Sequence, residues 1–315
     1  MTISTTTAPA PAKPVTQPGD RIFAGSAKGA GILILVVLAG VAVFLIAQAL
    51  PAIVAPASAL PGGAGLVAYI YPLVFGTLLA AVIALIIATP LAVAVALFIT
   101  HYAPRRLAQG LGYLIDLLAA VPSIVYGLWG VAVLAPATLG LATWLNTYLG
   151  WLPFFAGPVS ATGRTMLVVG IALAVMILPI ITAVSREVFL QTPKLHEEAA
   201  LALGATRWEM IRMAVLPFGR SGIISGAMLG LGRALGETMA VAIILSVSGA
   251  VTFNLISSSN PSTIAANIAL QFPDSTGLAV NTLIASGLVL FVITLLVNAL
   301  ARYIINRRRE FSGAN

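Results

Sequence analysis

The sequence predicts an all-α integral membrane protein with about six transmembrane helices. Of the 315 residues, 60% are hydrophobic and 8% are charged, whereas about 25% of residues are charged in an average soluble protein. Nine acidic and sixteen basic residues cannot cover the surface of a soluble domain of this size. The chain also contains separate apolar stretches that each reach the roughly 20 residues needed to cross a bilayer. The bilayer is therefore the expected solvent for most of the chain.

Six apolar stretches qualify as spans, and they lie roughly at residues 29–49, 71–99, 111–134, 166–185, 222–246 and 280–303. Two of them contain residues that disturb helices. Pro90 predicts a kink or a break in the second span, and Val121-Pro122-Ser123 predicts irregularity in the third. Because of these two places, five or seven spans stand as alternatives to six.

The basic residues indicate the orientation. With six spans, all of the sixteen basic residues except Arg164 and Arg233 fall on one side of the membrane. That side is expected to be cytoplasmic, and both termini lie on it. Residues 1–27 are rich in Thr, Ala and Pro, which predicts a disordered cytoplasmic tail before a permease domain at 28–310. Residues 311–315 form a short C-terminal tail in this interpretation.

Two function classes are disfavoured by residue counts. The sequence has no cysteine and only two histidines, His101 and His196, which excludes a disulfide framework and argues against thiolate or His-cluster metal sites. The net charge of +7 would suggest nucleic acid as a partner of a soluble protein. Here the bias of basic residues toward one side of the membrane explains it, and no nucleic acid is expected to bind.

The segment 186–220 between the fourth and fifth spans reads as two short helices joined by a turn. Thr192 is expected to cap the first helix, with Pro193 at its first position. Gly204 lies where a left-handed C-terminal cap is needed. Thr206-x-x-Glu209 is a capping box that begins the second helix, which Pro217 is expected to bound. An ordinary surface hairpin and a surface that docks another protein are both compatible with this pattern.

The same segment resembles the EAA loop of ABC importer permeases, whose pattern is E-A-A-x3-G-x9-I-x-L-P. The chain departs from the pattern at Ala214, where isoleucine is usual. The resemblance implies a loop that couples the permease to a separate ATPase. The matching residues are Glu198, Ala199, Ala200, Gly204, Leu216 and Pro217. The chain has no G-x4-G-K-[ST] phosphate loop, so ATP and magnesium are expected to be used by that ATPase and no cofactor by this chain.

Beyond the loop, the chain resembles the phosphate-specific (Pst) permeases of the PstC type. The matching stretches begin at Gly19, Pro72, Ala120 and Gly232, and they read GDRIF, PLVFGT, AVPSIVYGLWG and GRALGETMA. The sister permease PstA shares versions of the last two. The resemblance implies the MetI-like fold of type I ABC importer permeases in a bacterial cytoplasmic (inner) membrane. It also implies three kinds of protein partner besides membrane lipid: a PstA-like second permease, two ATPases and an extracytoplasmic phosphate-binding protein.

Arg233 and Glu237 are expected near the middle of the fifth span. Each charge costs roughly 2.5–3.5 kcal/mol there on insertion scales, so a reason for keeping it is needed. A spacing of four residues would place both on one helix face, where they partly neutralise each other. The resemblance to Pst permeases implies that Arg233, Glu237 and Thr238 belong to the translocation path. A purely structural ion pair is the alternative.

The same span contains five glycines, Gly222, Gly226, Gly230, Gly232 and Gly236. This spacing predicts close helix packing rather than a dinucleotide site, because no strand precedes it. Phosphate import is the leading interpretation of the chain. The alternatives are import of another oxyanion such as sulfate or molybdate, an ion-coupled secondary transporter, an intramembrane enzyme and a membrane scaffold.

Overall fold

The computed structural model describes residues 18–245 and 249–309, and the regular structure in this part of the chain is helical throughout. The chain forms two compact units, residues 1–47 and residues 48–315. The α-helices are α1 (Pro18–Val54), α2 (Leu66–Leu97), α3 (Arg105–Ala119), α4 (Ser123–Trp129), α5 (Ala135–Leu149), α6 (Met166–Leu190), α7 (Lys194–Ala202), α8 (Arg207–Met210), α9 (Leu216–Leu235), α10 (Met239–Ile244), α11 (Ile264–Gln271) and α12 (Leu278–Arg309).

Within the described residues, six helical stretches are long and apolar enough to cross a membrane. They are Gly19–Val54, Leu66–Tyr102, Ser123–Leu149, Met166–Leu190, Arg207–Leu235 and Leu278–Tyr303. The predicted number of spans is therefore confirmed. The predicted bounds of the third and fifth spans were wrong, and both errors lie at a junction between two consecutive helices.

The described part of the first unit is a single stretch of α1. This helix begins at Pro18, with an acidic residue, Asp20, in its first turn. Proline suits the first helical position, and an acid there complements the helix dipole. Residues 18–27 are therefore helical, and the prediction of a disordered tail up to residue 27 was wrong for them. Residues 1–17 and 311–315, the remainder of the two predicted tails, lie outside the described residues.

The core of the second unit is built from α2, α6 and α9, with α6 packed between the other two. One face of α2 is a row of small buried residues at four-residue intervals, Gly76, Ala80, Ala84, Ala88, Ala92 and Ala96. Small side chains let helix backbones approach closely in a membrane. The helix continues through Pro72 and Pro90 without a break.

The glycines of α9 serve the same kind of packing against α6. A Cβ on Gly222 would meet the Val188 side chain, and one on Gly230 would lie 3.1 Å from the side chain of Ile181. Gly226 faces the same helix. Close packing was thus predicted correctly for these three positions. A Cβ on Gly232 would have no heavy atom within 4 Å, so that glycine has a different environment.

The third span begins later than predicted. The chain is helical over α3, turns at Pro122, and enters the membrane-length helix only at α4. The predicted irregularity at Val121-Pro122-Ser123 is confirmed. The prediction placed the start of the span in α3 because that helix is rich in leucine. However, among the residues of α3 only Gly112 is buried.

The fifth span begins earlier and ends earlier than predicted. The helix runs from α8 through a π turn, Ile211–Val215, into α9, so Pro217 lies inside it and does not bound it. The helix then ends at Leu235, before the predicted end at residue 246. The short α10 follows after an interruption at 236–238.

Prolines explain the π turns of the described residues. These turns are Phe98–Tyr102, Gly130–Leu134 and Ile211–Val215, and Pro104, Pro136 and Pro217 each follow two residues after one of them. Proline has no N–H to donate, and its ring collides with the carbonyl four residues earlier. A wider turn directly before the proline lets the helix pass Pro136 and Pro217, whereas the helix before Pro104 ends and Pro104 is the N-cap of α3. The Leu216 N–H accordingly bonds to the Ile211 carbonyl, five residues back.

Two loops of the second unit pair through their backbones. The Leu255 N–H donates to the Phe154 carbonyl at 2.8 Å, and the Ser160 N–H donates to the Ile256 carbonyl at 2.9 Å. Residues 254–257 are buried although their backbone is irregular. Irregular backbone at membrane depth requires such internal partners. The Phe253 ring packs edge-on against Phe75 and Phe154, which joins these loops to α2.

Candidate functional site

The candidate path residues lie where α9 ends and α10 begins. Gly236 ends α9 with φ −91° and ψ 0°, and Thr238 precedes the first residue of α10. We call residues 236–238 the α9–α10 turn. Arg233 lies in the last turn of α9 with an exposed side chain, and Glu237 is only 6% exposed. The structure thus places Arg233, Glu237 and Thr238 at one interruption of a span.

Glu237 acts as a cap for α10 and not as a partner of Arg233. Its Oε1 accepts a hydrogen bond from the Ala240 N–H at 3.1 Å. The Thr238 hydroxyl donates to the Gly236 carbonyl at 3.1 Å. Because the helix ends between Arg233 and Glu237, the two residues do not share a helix face. The expected neutralisation across one turn was therefore wrong.

Arg233 has no acidic partner among the side chains that the structure describes. Its guanidinium forms no ion pair with any side chain in the described ranges 19–245 and 249–303. Its guanidinium also donates no hydrogen bond to any group in the described part of the chain, so it offers a cation and free donors at the end of α9.

The helix α4 packs directly on α10. A Cβ on Gly127 would lie 3.1 Å from the Ala240 Cα, and one on Gly130 would lie 2.5 Å from Cδ1 of Ile244. Both glycines belong to the stretch AVPSIVYGLWG, and Ala240 belongs to GRALGETMA. Two of the stretches that carry the resemblance thus contact each other.

Sequence reasoning missed Arg164 as a candidate site residue. Its Nη2 donates to the Ile243 carbonyl at 2.7 Å and its Nε donates to the Ile244 carbonyl at 3.1 Å. These carbonyls belong to the last residues of α10. The available signal was that Arg164 and Arg233 alone depart from the one-sided distribution of basic residues.

The loop 186–220 has the helix–turn–helix form that its sequence predicts. Gly204 has φ +84°, the left-handed conformation expected of a C-terminal cap. The Ala205 N–H donates to the Ala200 carbonyl and the Gly204 N–H to the Leu201 carbonyl, which together make a Schellman motif. This turn therefore satisfies the end of α7 with local backbone bonds.

The capping box of the same loop is confirmed, and one cap is corrected. The Glu209 N–H donates to the Thr206 hydroxyl at 3.3 Å, and Oε2 of Glu209 accepts from the Thr206 N–H at 2.8 Å. Thr192 does not cap α7, since Pro193 occupies the N-cap position. The Thr192 hydroxyl is buried and has no hydrogen-bond partner in the described residues.

Most of this loop is available to a partner. None of the residues of α7 is buried, and Ala199 is exposed while Ala200 is half-buried. Leu195, Leu203 and Trp208 have exposed fractions of 77%, 90% and 56%. Exposed apolar side chains on an ordered element are typical of an interaction surface.

The loop is anchored at its base and along one side. Met210, Ile211 and Val215 pack in a buried cluster with Leu97 of α2 and Phe189 of α6. Glu197 of α7 also lies 3.7 Å from Nε2 of His101, at the end of the second span. Among the residues that the structure describes, no group of three His, Asp or Glu side chains could hold a metal ion.

The fold is that of ABC importer permeases. The chain resembles a subunit of a bacterial ABC transporter involved in the import of the acidic polysaccharide alginate. That match has a TM-score of 0.55 at 16% identity and covers 75% of this chain and 79% of that chain. The methionine ABC transporter MetNI matches with a TM-score of 0.51 at 15% identity over 77% of this chain and 95% of that one. At such identities the likeness shows the fold alone, which is the predicted MetI-like permease fold.

Family and relatives narrow the class further. The family model described as "Binding-protein-dependent transport system inner membrane component" matches residues 88–310. The phosphate transport system permease protein PstC 2 of Mycobacterium tuberculosis is 46% identical over 298 residues, 91% of each chain. PstC of Mesorhizobium japonicum is 38% identical over 310 residues, 94% of this chain and 92% of that protein. The chain therefore belongs to the inner membrane components of binding-protein-dependent transport systems and, within them, to the PstC permeases.

Proposed function

We propose that this chain is the permease subunit of an ATP-driven importer and forms part of the path by which inorganic phosphate enters the cytoplasm. Its relatives, at 38% and 46% identity over most of the chain, are named phosphate transport system permeases. This relationship favours phosphate over sulfate or molybdate as the cargo. It also favours an importer subunit over a secondary transporter, an enzyme or a scaffold.

The observation on which the proposal rests is the unshared charge of Arg233. Arg233 lies in the last turn of the fifth span, and not near the middle of the span as the sequence predicted. Charged residues in spans are rare and commonly mark a substrate or ion pathway. Its side chain is exposed and has no acidic partner in the described part of the chain. A guanidinium presents two parallel N–H donors that suit the oxygens of a phosphate. We expect Arg233 to meet the passing anion, with Thr238 beside it in the α9–α10 turn.

Glu237 has a supporting role in this proposal. Its carboxylate is held by the Ala240 N–H, so it keeps the turn in place without occupying the Arg233 guanidinium.

The loop 186–220 is the proposed coupling element. We expect Glu198, Ala199, Ala200 and Gly204 to seat in a groove of a separate ATPase, which uses the ATP and magnesium. Leu216 and Pro217 begin α9, so they connect the docked loop to the helix whose last turn carries Arg233. Movement of the ATPase would in this way reach the α9–α10 turn through a single helix.

The complete importer in this proposal contains a PstA-like second permease, two ATPases and an extracytoplasmic phosphate-binding protein. It lies in the bacterial cytoplasmic membrane with both termini of this chain in the cytoplasm. The orientation can be tested by thiol labelling, because the native chain has no cysteine. A cysteine at position 106 or 204 should react only from the cytoplasmic side, and one at position 150 only from outside. Labelling of 106 and 150 from the same face would contradict the orientation.

The function itself is tested by Arg233→Lys in the assembled transporter in proteoliposomes. Lysine keeps the charge but loses the paired donors, so phosphate uptake should fall by roughly tenfold. The amount of protein in the membrane should not change. Arg302→Gln is a matched control, because Arg302 is exposed near the end of α12. Native uptake by Arg233→Lys and Arg233→Leu would show that the anion takes another route.

A further inference from the structure

Arg164 is a half-buried arginine whose side chain is committed to backbone atoms. Two of its nitrogens donate to the carbonyls of Ile243 and Ile244, at 2.7 Å and 3.1 Å. It forms no ion pair with any carboxylate in the ranges that the structure describes. A leucine at this position could form neither of these two hydrogen bonds.

The end of α10 needs such a donor. The helix stops at Ile244 because Leu245 is extended, with φ −83° and ψ 129°. The last carbonyls of a helix have no partner inside that helix. Ile244 is fully buried, at 0% exposure, so water has little access to its backbone. A guanidinium fits this position because it supplies two N–H groups in a fixed fork.

The two ends of α10 are thus held by an acidic side chain and a basic side chain. Glu237 accepts from the Ala240 N–H at the first turn, and Arg164 donates to the carbonyls at the last. An acid at the beginning and a base at the end is the favourable arrangement for a helix. The helix has only six residues, so few bonds of its own fix its position.

We propose that Arg164 is a positioning residue of the translocation path. It fixes α10 from the far end and, through α10, holds the α9–α10 turn next to Arg233. Two of its five N–H groups donate to α10, and the role proposed for it is to hold that helix rather than to bind the anion. This inference rests on the proposed function, because that function identifies the translocation path. The contact between Arg164 and α10 is independent of which substrate is transported.

The test uses a reporter thiol at the first residue of α10. Met239 is 43% exposed, and the native chain has no cysteine, so Met239→Cys gives a single reactive site. Its reaction rate with a methanethiosulfonate reagent is measured in the assembled transporter with Arg164 native, with Arg164→Gln and with Arg164→Lys. Arg164→Gln should change that rate at least severalfold, because α10 is no longer held at its carboxyl end. Arg164→Lys, which can still donate to one carbonyl, should give an intermediate rate.

Uptake provides a second readout, in transporters without the reporter. Arg164→Gln should lower the maximal rate of phosphate uptake by roughly tenfold, given the strength of charge-assisted hydrogen bonds. The apparent KM for the phosphate-loaded binding protein should not change. Arg302→Gln should alter neither readout. Unchanged thiol reactivity and unchanged maximal uptake in Arg164→Gln would overturn the proposal.

Two further outcomes are decisive. If Arg164→Gln fails to reach the membrane, Arg164→Lys provides the comparison, and native behaviour in both assays would then refute a positioning role. If the native transporter does not take up phosphate, the proposed function fails. The thiol comparison would still decide the role of Arg164, because it needs no cargo.

Discussion

The loop 186–220 and the α9–α10 turn meet the same structural problem in different surroundings. In each, one helix ends and another begins within a few residues. The loop uses neutral, local devices at the end of α7, a glycine at φ +84° followed by backbone bonds. The α9–α10 turn uses a buried carboxylate at one end of α10 and a distant arginine at the other.

Water explains the difference. The loop is largely exposed, so any backbone group without a protein partner can bond to solvent. The two ends of α10 are buried in the protein, where Glu237, Ala240 and Ile244 are 6%, 1% and 0% exposed, so their backbone groups must find partners in the protein. Long ionised side chains can supply such partners across several ångströms. The comparison predicts that substitutions at the turn have larger effects than substitutions at the caps of the loop.

Glu237 should give the largest effect. Glu237→Leu leaves the Ala240 N–H without an acceptor in a buried site, a loss of about 1–3 kcal/mol. We expect uptake to fall by tenfold or more in proteoliposomes. Glu237→Gln keeps an oxygen acceptor, so it should retain most of the activity. If the two variants lose uptake equally, transport depends on the charge of Glu237 and not on its cap of α10. The proposed difference between the loop and the α9–α10 turn would then be wrong.

Gly204 should give an intermediate effect. No heavy atom lies within 4 Å of a Cβ built at this position, so only the backbone conformation resists substitution. Left-handed backbone costs an ordinary residue about 1–2 kcal/mol and is worse for a β-branched one. Gly204→Val should therefore reduce co-purification with the ATPase and uncouple uptake, with the protein still inserted.

Asparagine is the matched control at this position, because it tolerates the left-handed conformation. Gly204→Asn should bind the ATPase and take up phosphate nearly as well as the native chain. Undiminished ATPase binding and uptake in Gly204→Val would refute the coupling role of the turn.

Thr206 should give the smallest effect. Thr206→Ala removes the hydroxyl that caps α8, which is typically worth about 1 kcal/mol. We expect a slightly lower thermal midpoint and near-native uptake, because water can replace the lost acceptor. Thr206→Ser keeps the hydroxyl and should match the native midpoint. A loss of uptake as large as that of Glu237→Leu would show that transport is as sensitive to a lost cap in the loop as to one in the α9–α10 turn.

The loop could be predicted from sequence because its caps act over three or four residues. Gly204 and the pair Thr206 and Glu209 are each visible in a short window of sequence. The Thr192 prediction failed because a proline one residue later took the N-cap position. The exposure of Leu195, Leu203 and Trp208 could not be predicted from the sequence, because it depends on which face of the loop packs against the rest of the fold.

The α9–α10 turn could not be predicted in the same way. The sequence stays apolar from Met239 to Leu245, so hydropathy alone extends the span across the turn. The partner of α10 at its carboxyl end lies 79 and 80 residues earlier in the chain. No local pattern encodes a contact at that separation. The position of Arg164 on the unexpected side of the membrane was the sole hint.

The π turns show a regularity that sequence reasoning could have used. Each described π turn precedes a proline by two residues, as at Pro136 and Pro217. Proline was interpreted as a helix boundary at Pro217, although the helix passes through it. In a chain whose helices must stay bonded across a membrane, widening one turn preserves the helix where a break would expose its backbone.

The row of small residues on α2 has a consequence for how two helices find their alignment. Identical methyl groups at four-residue intervals contact a neighbour equally well when the helix shifts by about one turn, and alanine has no rotamers to oppose the shift. The row by itself therefore encodes no register. One contact breaks the repetition: Gly170 of α6 lacks a Cβ where the Ile83 side chain of α2 lies, and a methyl group there would collide with it. This bulky residue facing a gap is a contact that favours one alignment of α2 along α6.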